Sequence, residues 1–199
     1  MLRLDLHSRH PILHHPLHLG AKSGDVTLIC GASGRGKSTL LAQIWGSRPL
    51  PEAGALRVTT GGQSHDLGGL SAAALAHLRP RLMAYVEQAP AVLKRDVLAS
   101  WFGADDPRLS AAMAAFDLAP ALLARRAGEV SGGERQRFIL LRAILGPCPI
   151  LLLDEPFTGL DPARVAAVGG LLALEAAKGR LVMLSAHRPY DFATNMLRL

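Results

Sequence analysis

At 199 residues the chain has the length of one ordinary domain, long enough to bury a real core. A hydrophobic content of 49% with 19% charged residues suggests a soluble protein that also covers apolar surface against a partner, and no apolar run approaches the roughly 18 residues of a membrane helix. The formal charge of +6 permits an anionic partner, but Arg and Lys are scattered, which favours a solvated basic surface.

The start, Met1-Leu2-Arg3-Leu4-Asp5-Leu6, alternates charge with leucine and has no signal-peptide core, so a cytosolic chain is expected. Strand-like pieces near residues 2–19 and within 54–67, the latter turning at Gly61-Gly62, predict a small antiparallel β region. Val26–Cys30 reads as a buried strand and Lys37–Trp45 as a helix. Between them runs Gly31-Ala32-Ser33-Gly34-Arg35-Gly36-Lys37-Ser38-Thr39, of the form GxxxxGK[ST]. Its glycines let successive backbone N–H groups turn inward around phosphates, Lys37 adds a point charge, and Ser38 offers a hydroxyl to magnesium. Ser71 caps a helix Ala72–Leu78, and Arg81–Glu87 is the next strand. Gln88 ends it, where a neutral amide could contact magnesium and a water; a plain loop glutamine is the bland alternative.

Residues 91–129 are Ala- and Leu-rich without a convincing strand, and Pro107 and Pro120 start helices, which predicts a helical subdomain. Ser131-Gly132-Gly133 opens an amphipathic helix Gly132–Leu145, stopped by Gly146-Pro147, and offers a second anion site at a helix N-terminus. The apolar strand Ile150–Leu153 ends in Asp154-Glu155-Pro156. Asp154 is placed to hold magnesium through water, and Glu155 to orient or deprotonate a water. A helix cap is the competing reading, disfavoured by Pro156. Pro162–Lys178 is a helix closed by Gly179, and Arg180–Ser185 a buried strand leading to His187, read as a γ-phosphate contact rather than a surface histidine. Cys30 and Cys148, without CxxC spacing, are expected to be buried reduced thiols. Alternating apolar strands and helical patterns give an α/β fold with a mostly parallel sheet.

In this order the segments resemble the ATP-binding cassette of ABC transporters, over almost the whole chain. Gly31 to Thr39 resemble the Walker A loop, Gln88 the Q-loop glutamine, and Ser131-Gly132-Gly133-Glu134 the signature motif. Ile150–Glu155 resemble Walker B with its catalytic glutamate, Thr158-Gly159-Leu160-Asp161 the D-loop, and His187 the switch histidine. The resemblance implies a P-loop (RecA-like) core over about 1–88 and 131–199 of a single cassette, with a short α-helical subdomain over about 89–130. It implies ATP and Mg2+ as ligands, Glu155, His187 and Gln88 in catalysis, Ser38, Gln88 and Asp154 around the metal, and Asp161 near nucleotide. Partners follow too: a second, identical cassette closing head to tail around two ATP, and separately encoded integral membrane subunits. That places the chain on the cytoplasmic face of the inner (plasma) membrane, with no nucleic acid expected.

The chain departs from the pattern in places. The position that usually stacks an aromatic ring on adenine corresponds by spacing to Ser8, with only His7, Arg9 and His10 nearby. His7, His10, His14, His15 and His18 crowd together without a clean ligand spacing, so chance clustering is preferred to a metal site. The helical segment is short, and too few residues follow His187 for a C-terminal regulatory domain. The stretches Gln88–Leu93 and Ala186–Pro189 are similar to exporter-type cassettes, including cytochrome-assembly systems. Two rival readings stand beside the transporter: a soluble cassette ATPase acting on nucleic acid or ribosomes, supported by charge alone, and a non-hydrolysing cassette, disfavoured by the full motif set.

Overall fold

A computed structural model describes residues 1–9, 16–51, 54–88, 94–103 and 105–199. Two sheets sandwich a helix. The first is antiparallel, in the order β2–β1–β4–β5, from β1 (Arg3–Arg9), β2 (Pro16–Lys22), β4 (Ala55–Thr60) and β5 (Gln63–Asp66). Its inward face comes from strict alternation, with Leu4, Leu6, Leu17, Leu19, Leu56 and Val58 all buried. The second sheet is parallel throughout, in the order β6–β7–β8–β3–β9. It comprises β3 (Val26–Cys30), β6 (Met83–Val86), β7 (Ile150–Leu153), β8 (Leu181–Ala186) and β9 (Asn195–Arg198). Every residue of β3, β7 and β8 is buried, as central parallel strands covered on both faces require.

Helix α1 (Lys37–Trp45) lies between the sheets. Its Leu40, Leu41 and Ile44 share one core with Leu4, Leu6 and Val58 on one side and Ile29, Leu152 and Met183 on the other. The opposite face of the parallel sheet is covered by α3 (Leu109–Ala115), α4 (Gly132–Leu145) and α5 (Pro162–Ala177). There Leu28, Leu151 and Val182 meet Phe138, Leu141, Val168 and Leu172. Burying a side chain such as Phe138 contributes on the order of 2–3 kcal/mol.

The structure departs from the sequence expectations in four places. Helix α2 (Ala72–Leu82) runs through Pro80, so β6 begins at Met83 rather than Arg81. No residue of α2 is buried, so water can solvate the carbonyl that Pro80 leaves without a donor. The segment before Ser131 is less helical than expected. Among the described residues it holds only α3 and two 3-10 turns, Leu98–Trp101 and Pro120–Ala124, because proline and glycine interrupt every run. Strand β9 was not foreseen. Finally, Cys30 is buried but Cys148 is only partly covered; its thiol donates to the Pro80 carbonyl at 3.4 Å, and partial burial pushes its pKa up.

Candidate functional site

Neighbouring strands bring the chemistry together because their C-terminal ends are level. Val86, Leu153 and Leu184 lie side by side, and Cys30 lies beside Ala186. The chain therefore leaves β3 into the glycine-rich loop, β7 into Asp154-Glu155 and β8 toward His187 along one edge, while Gln88 follows β6. Ligands of open α/β sheets bind at this edge.

In the loop, Gly34 (φ 77°) and Gly36 (φ 86°) occupy the left-handed region that a side chain disfavours. No side chain caps α1, so its first-turn amides and its dipole are directed at whatever fills the loop. Lys37 is 4% exposed. Its Nζ donates to the carbonyls of Gly31 at 2.9 Å and Ala32 at 3.1 Å and lies 3.4 Å from Glu155 Oε1. Ser33, Gly34, Gly36, Lys37, Ser38, Thr39, Gln88 and Glu155 line a cavity of about 290 Å3. Gly31, Ala32 and Arg35 complete the loop without lining it.

Glu155 is gripped from several sides. His187 Nε2 lies 2.9 Å from its Oε1, and Gln88 Nε2 donates to its Oε2 at 3.2 Å. Its backbone is left-handed at φ 48°, and its amide donates to Ser185 Oγ at 2.9 Å. Ser185 Oγ in turn donates to Asp154 Oδ1 at 2.6 Å. One fully buried hydroxyl thus orients both acids. Sequence reasoning missed Ser185, although a lone polar residue in the apolar run Leu181–Ala186 was a signal.

The donor set suits a hard divalent cation. Ser38 and Gln88 line the cavity and offer a hydroxyl and an amide oxygen, and the buried Asp154 carboxylate stands next in sequence to the lining Glu155, so the oxygens available are of the kind such an ion takes. Among the described residues no cluster of three His, Cys, Asp or Glu forms a self-sufficient metal cage.

Other predicted residues lie elsewhere. Ser131, Gly132 and Gly133 are exposed, and none lines the loop cavity of its own chain. Ser131 closes a capping box: its Oγ accepts from the Glu134 amide at 3.2 Å, and Glu134 Oε2 accepts from the Ser131 amide at 2.8 Å. The hydrogen bond from the Ser131 side chain, then that from its backbone, holds the Glu134 carboxyl below its ordinary pKa. Gln136, on the same helix, donates to the Gln88 carbonyl at 3.4 Å. Asp161 caps α5 through the Arg164 amide at 2.9 Å and pairs with the Arg164 guanidinium, which also reaches Asp117. It does not line the cavity.

Of the residues expected by spacing near adenine, Ser8 is buried with its hydroxyl unpartnered and has no ring to stack. His7 is exposed and packs edge-on against His18, ring centroids 4.4 Å apart. His10, His14 and His15 lie outside the described residues.

Comparison with known proteins fits this geometry. The family model described as ABC transporter matches residues 14–158. The chain is 35% identical over 169 residues to the cytochrome c biogenesis ATP-binding export protein CcmA of Rhodospirillum rubrum, covering 83% of this chain and 69% of that protein. It is 34% identical over 173 residues to an ABC transporter ATP-binding protein of Mycobacterium tuberculosis, covering 86% of this chain but 24% of that longer one. In fold it matches a dimeric ATP-binding cassette solved in a post-hydrolysis state with ADP and Pi, with a TM-score of 0.74 and 20% identity, covering 100% of this chain and 94% of that one.

Proposed function

The chain belongs to the ABC transporter family as an ATP-binding and ATP-hydrolysing cassette, and from that premise we propose that two copies close head to tail around two ATP molecules and drive separate membrane subunits. One observation carries the dimer. The chain has two helices opened by glycine-rich turns: α1, uncapped, faces its own cavity, whereas α4, closed by the Ser131–Glu134 capping box, presents an exposed turn that lines no part of it. The exposed Ser131-Gly132-Gly133 turn then completes the site of a second copy, adding amide donors where charge gathers on the γ-phosphate.

Within such a site the loop amides and Lys37 bind the β- and γ-phosphates. Glu155 accepts a proton from the attacking water, held in line by Gln88, while the bond from the γ-phosphorus to the bridging oxygen breaks and ADP leaves. His187 steadies Glu155 and the γ-phosphate. Magnesium, held by Ser38, Gln88 and Asp154, would neutralise phosphate charge. Among the described residues no helix is long and apolar enough to cross a membrane, so translocation falls to partner subunits in this reading. Export is the direction we favour, on the resemblance to exporter-type cassettes.

Mixing two inactive variants tests the shared site. Lys37→Ala disables the phosphate loop, and Gly133→Asp puts a carboxylate at the outward helix N-terminus. Mixed dimers keep one composite site intact, so about a quarter of the wild-type ATPase rate should return if the sites work independently. No recovery on mixing, with both variants folded, overturns the head-to-tail arrangement.

A further inference from the structure

Behind the Glu155–His187 pair sits a cluster of three aromatic rings that the hydrolytic roles above do not use. Phe157 follows Glu155 by two positions, and Tyr190 follows His187 by three. Phe157 and Tyr190 meet edge to face, centroids 4.9 Å apart at 70°. Phe192 stacks on Tyr190 at 5.3 Å and 14° and meets Phe157 at 5.6 Å and 74°. Both geometries are favoured by ring quadrupoles, and such pairs add about 0.5–1.5 kcal/mol beyond area burial. The cluster is seated on α5 at Gly169, where a Cβ would lie 2.4 Å from the Phe192 ring. Only a residue without a side chain leaves room there.

His187 needs such support. It is exposed, it lies beyond the end of β8, and the Arg188-Pro189 turn that follows is exposed as well. Glu155 also stands on a turn, in a left-handed conformation. Two loops of irregular backbone must keep a 2.9 Å contact. Their apolar anchors touch each other, and Phe157 and Tyr190 share with Glu155 and His187 the lining of one cavity of about 240 Å3. The far end of the second loop is pinned by the Thr194 amide donating to the Val26 carbonyl at 2.9 Å.

We propose that Phe157, Tyr190 and Phe192, seated on Gly169, form a wedge that positions His187 against Glu155 for ATP hydrolysis. These are positioning residues, since they reach nucleotide only through the pair they hold. The inference rests on Glu155 and His187 being the hydrolytic pair. A misplacement of about 1 Å can lower a rate by up to a hundredfold, so a loosened wedge should slow the chemical step and spare binding by the loop.

The test compares Tyr190→Leu, Tyr190→Phe and Gly169→Leu in the full chain. Tyr190→Leu should lower saturated kcat about tenfold with the ATP Kd within twofold and the unfolding midpoint little changed. Tyr190→Phe, which keeps the ring, should retain wild-type kcat. Gly169→Leu, distant from nucleotide, should reproduce the kcat loss by expelling Phe192. Unchanged kcat in Tyr190→Leu overturns the wedge, as does a loss shared equally by Kd or explained by a smaller folded fraction. Loss of turnover in Glu155→Gln alongside a normal Tyr190→Leu would sink the wedge and leave the hydrolytic pair standing. Normal turnover in Glu155→Gln would instead remove the pair itself.

Discussion

Glu155→Gln should lower ATP turnover by about 10²–10⁴-fold, the range a positioned general base contributes, while ATP binding survives. The substitution keeps the shape of the side chain and its place beside Gln88 and His187. It removes the charge that takes the proton from water. It also dissolves the ion pair with Lys37 at 3.4 Å, which leaves the ammonium free for phosphate and should hold or tighten ATP affinity. Bound ATP that cannot be cleaved should keep two copies together. Size-exclusion chromatography with Mg2+ and ATP should therefore show a dimer for this variant under conditions where wild type, turning over, elutes as a monomer. Wild-type turnover in the variant would end the assignment.

Lys37→Ala should weaken ATP binding about ten- to hundredfold, since a hydrogen bond to a charged group contributes about 1.5–3 kcal/mol. Lys37 is nearly sealed from solvent, and its two carbonyl contacts pre-place the ammonium over the loop. Alanine removes both the charge and the brace that shapes the loop. Glu155 retains His187 and Gln88, so the fold should persist, which circular dichroism would check. Isothermal titration calorimetry reads the affinity directly. An unchanged Kd would mean that phosphate is not held where the loop geometry puts it.

Much of this could be read from the residues alone, for definite reasons. The unit of β3, loop and α1 was legible because an apolar run, a glycine-spaced turn and a helix each impose their own period. The edge of the parallel sheet followed from three apolar strands ending in polar residues. What stayed hidden depended on tertiary contact. Strand β9 is short, of mixed polarity and mostly exposed, and it becomes a strand only because β3 offers a free edge. Ser185 reads as an ordinary strand serine until Asp154 and the Glu155 amide are folded against it. That Asp161 also caps its own helix and pairs with Arg164 is likewise a matter of the folded chain. The Ala-rich stretch before Ser131 promised more helix than forms, since local preference counts for little where Gly103, Pro107 and Pro120 break each run.

The left-handed turn at Glu155 has an evolutionary corollary. A residue with a side chain at φ 48° stands about 1–2 kcal/mol above a relaxed backbone. Glycine would ease that tension and would also abolish the carboxylate. Heat tolerance and turnover thus pull this one position in opposite directions, and any lineage hardened by temperature must recover its margin elsewhere in the core.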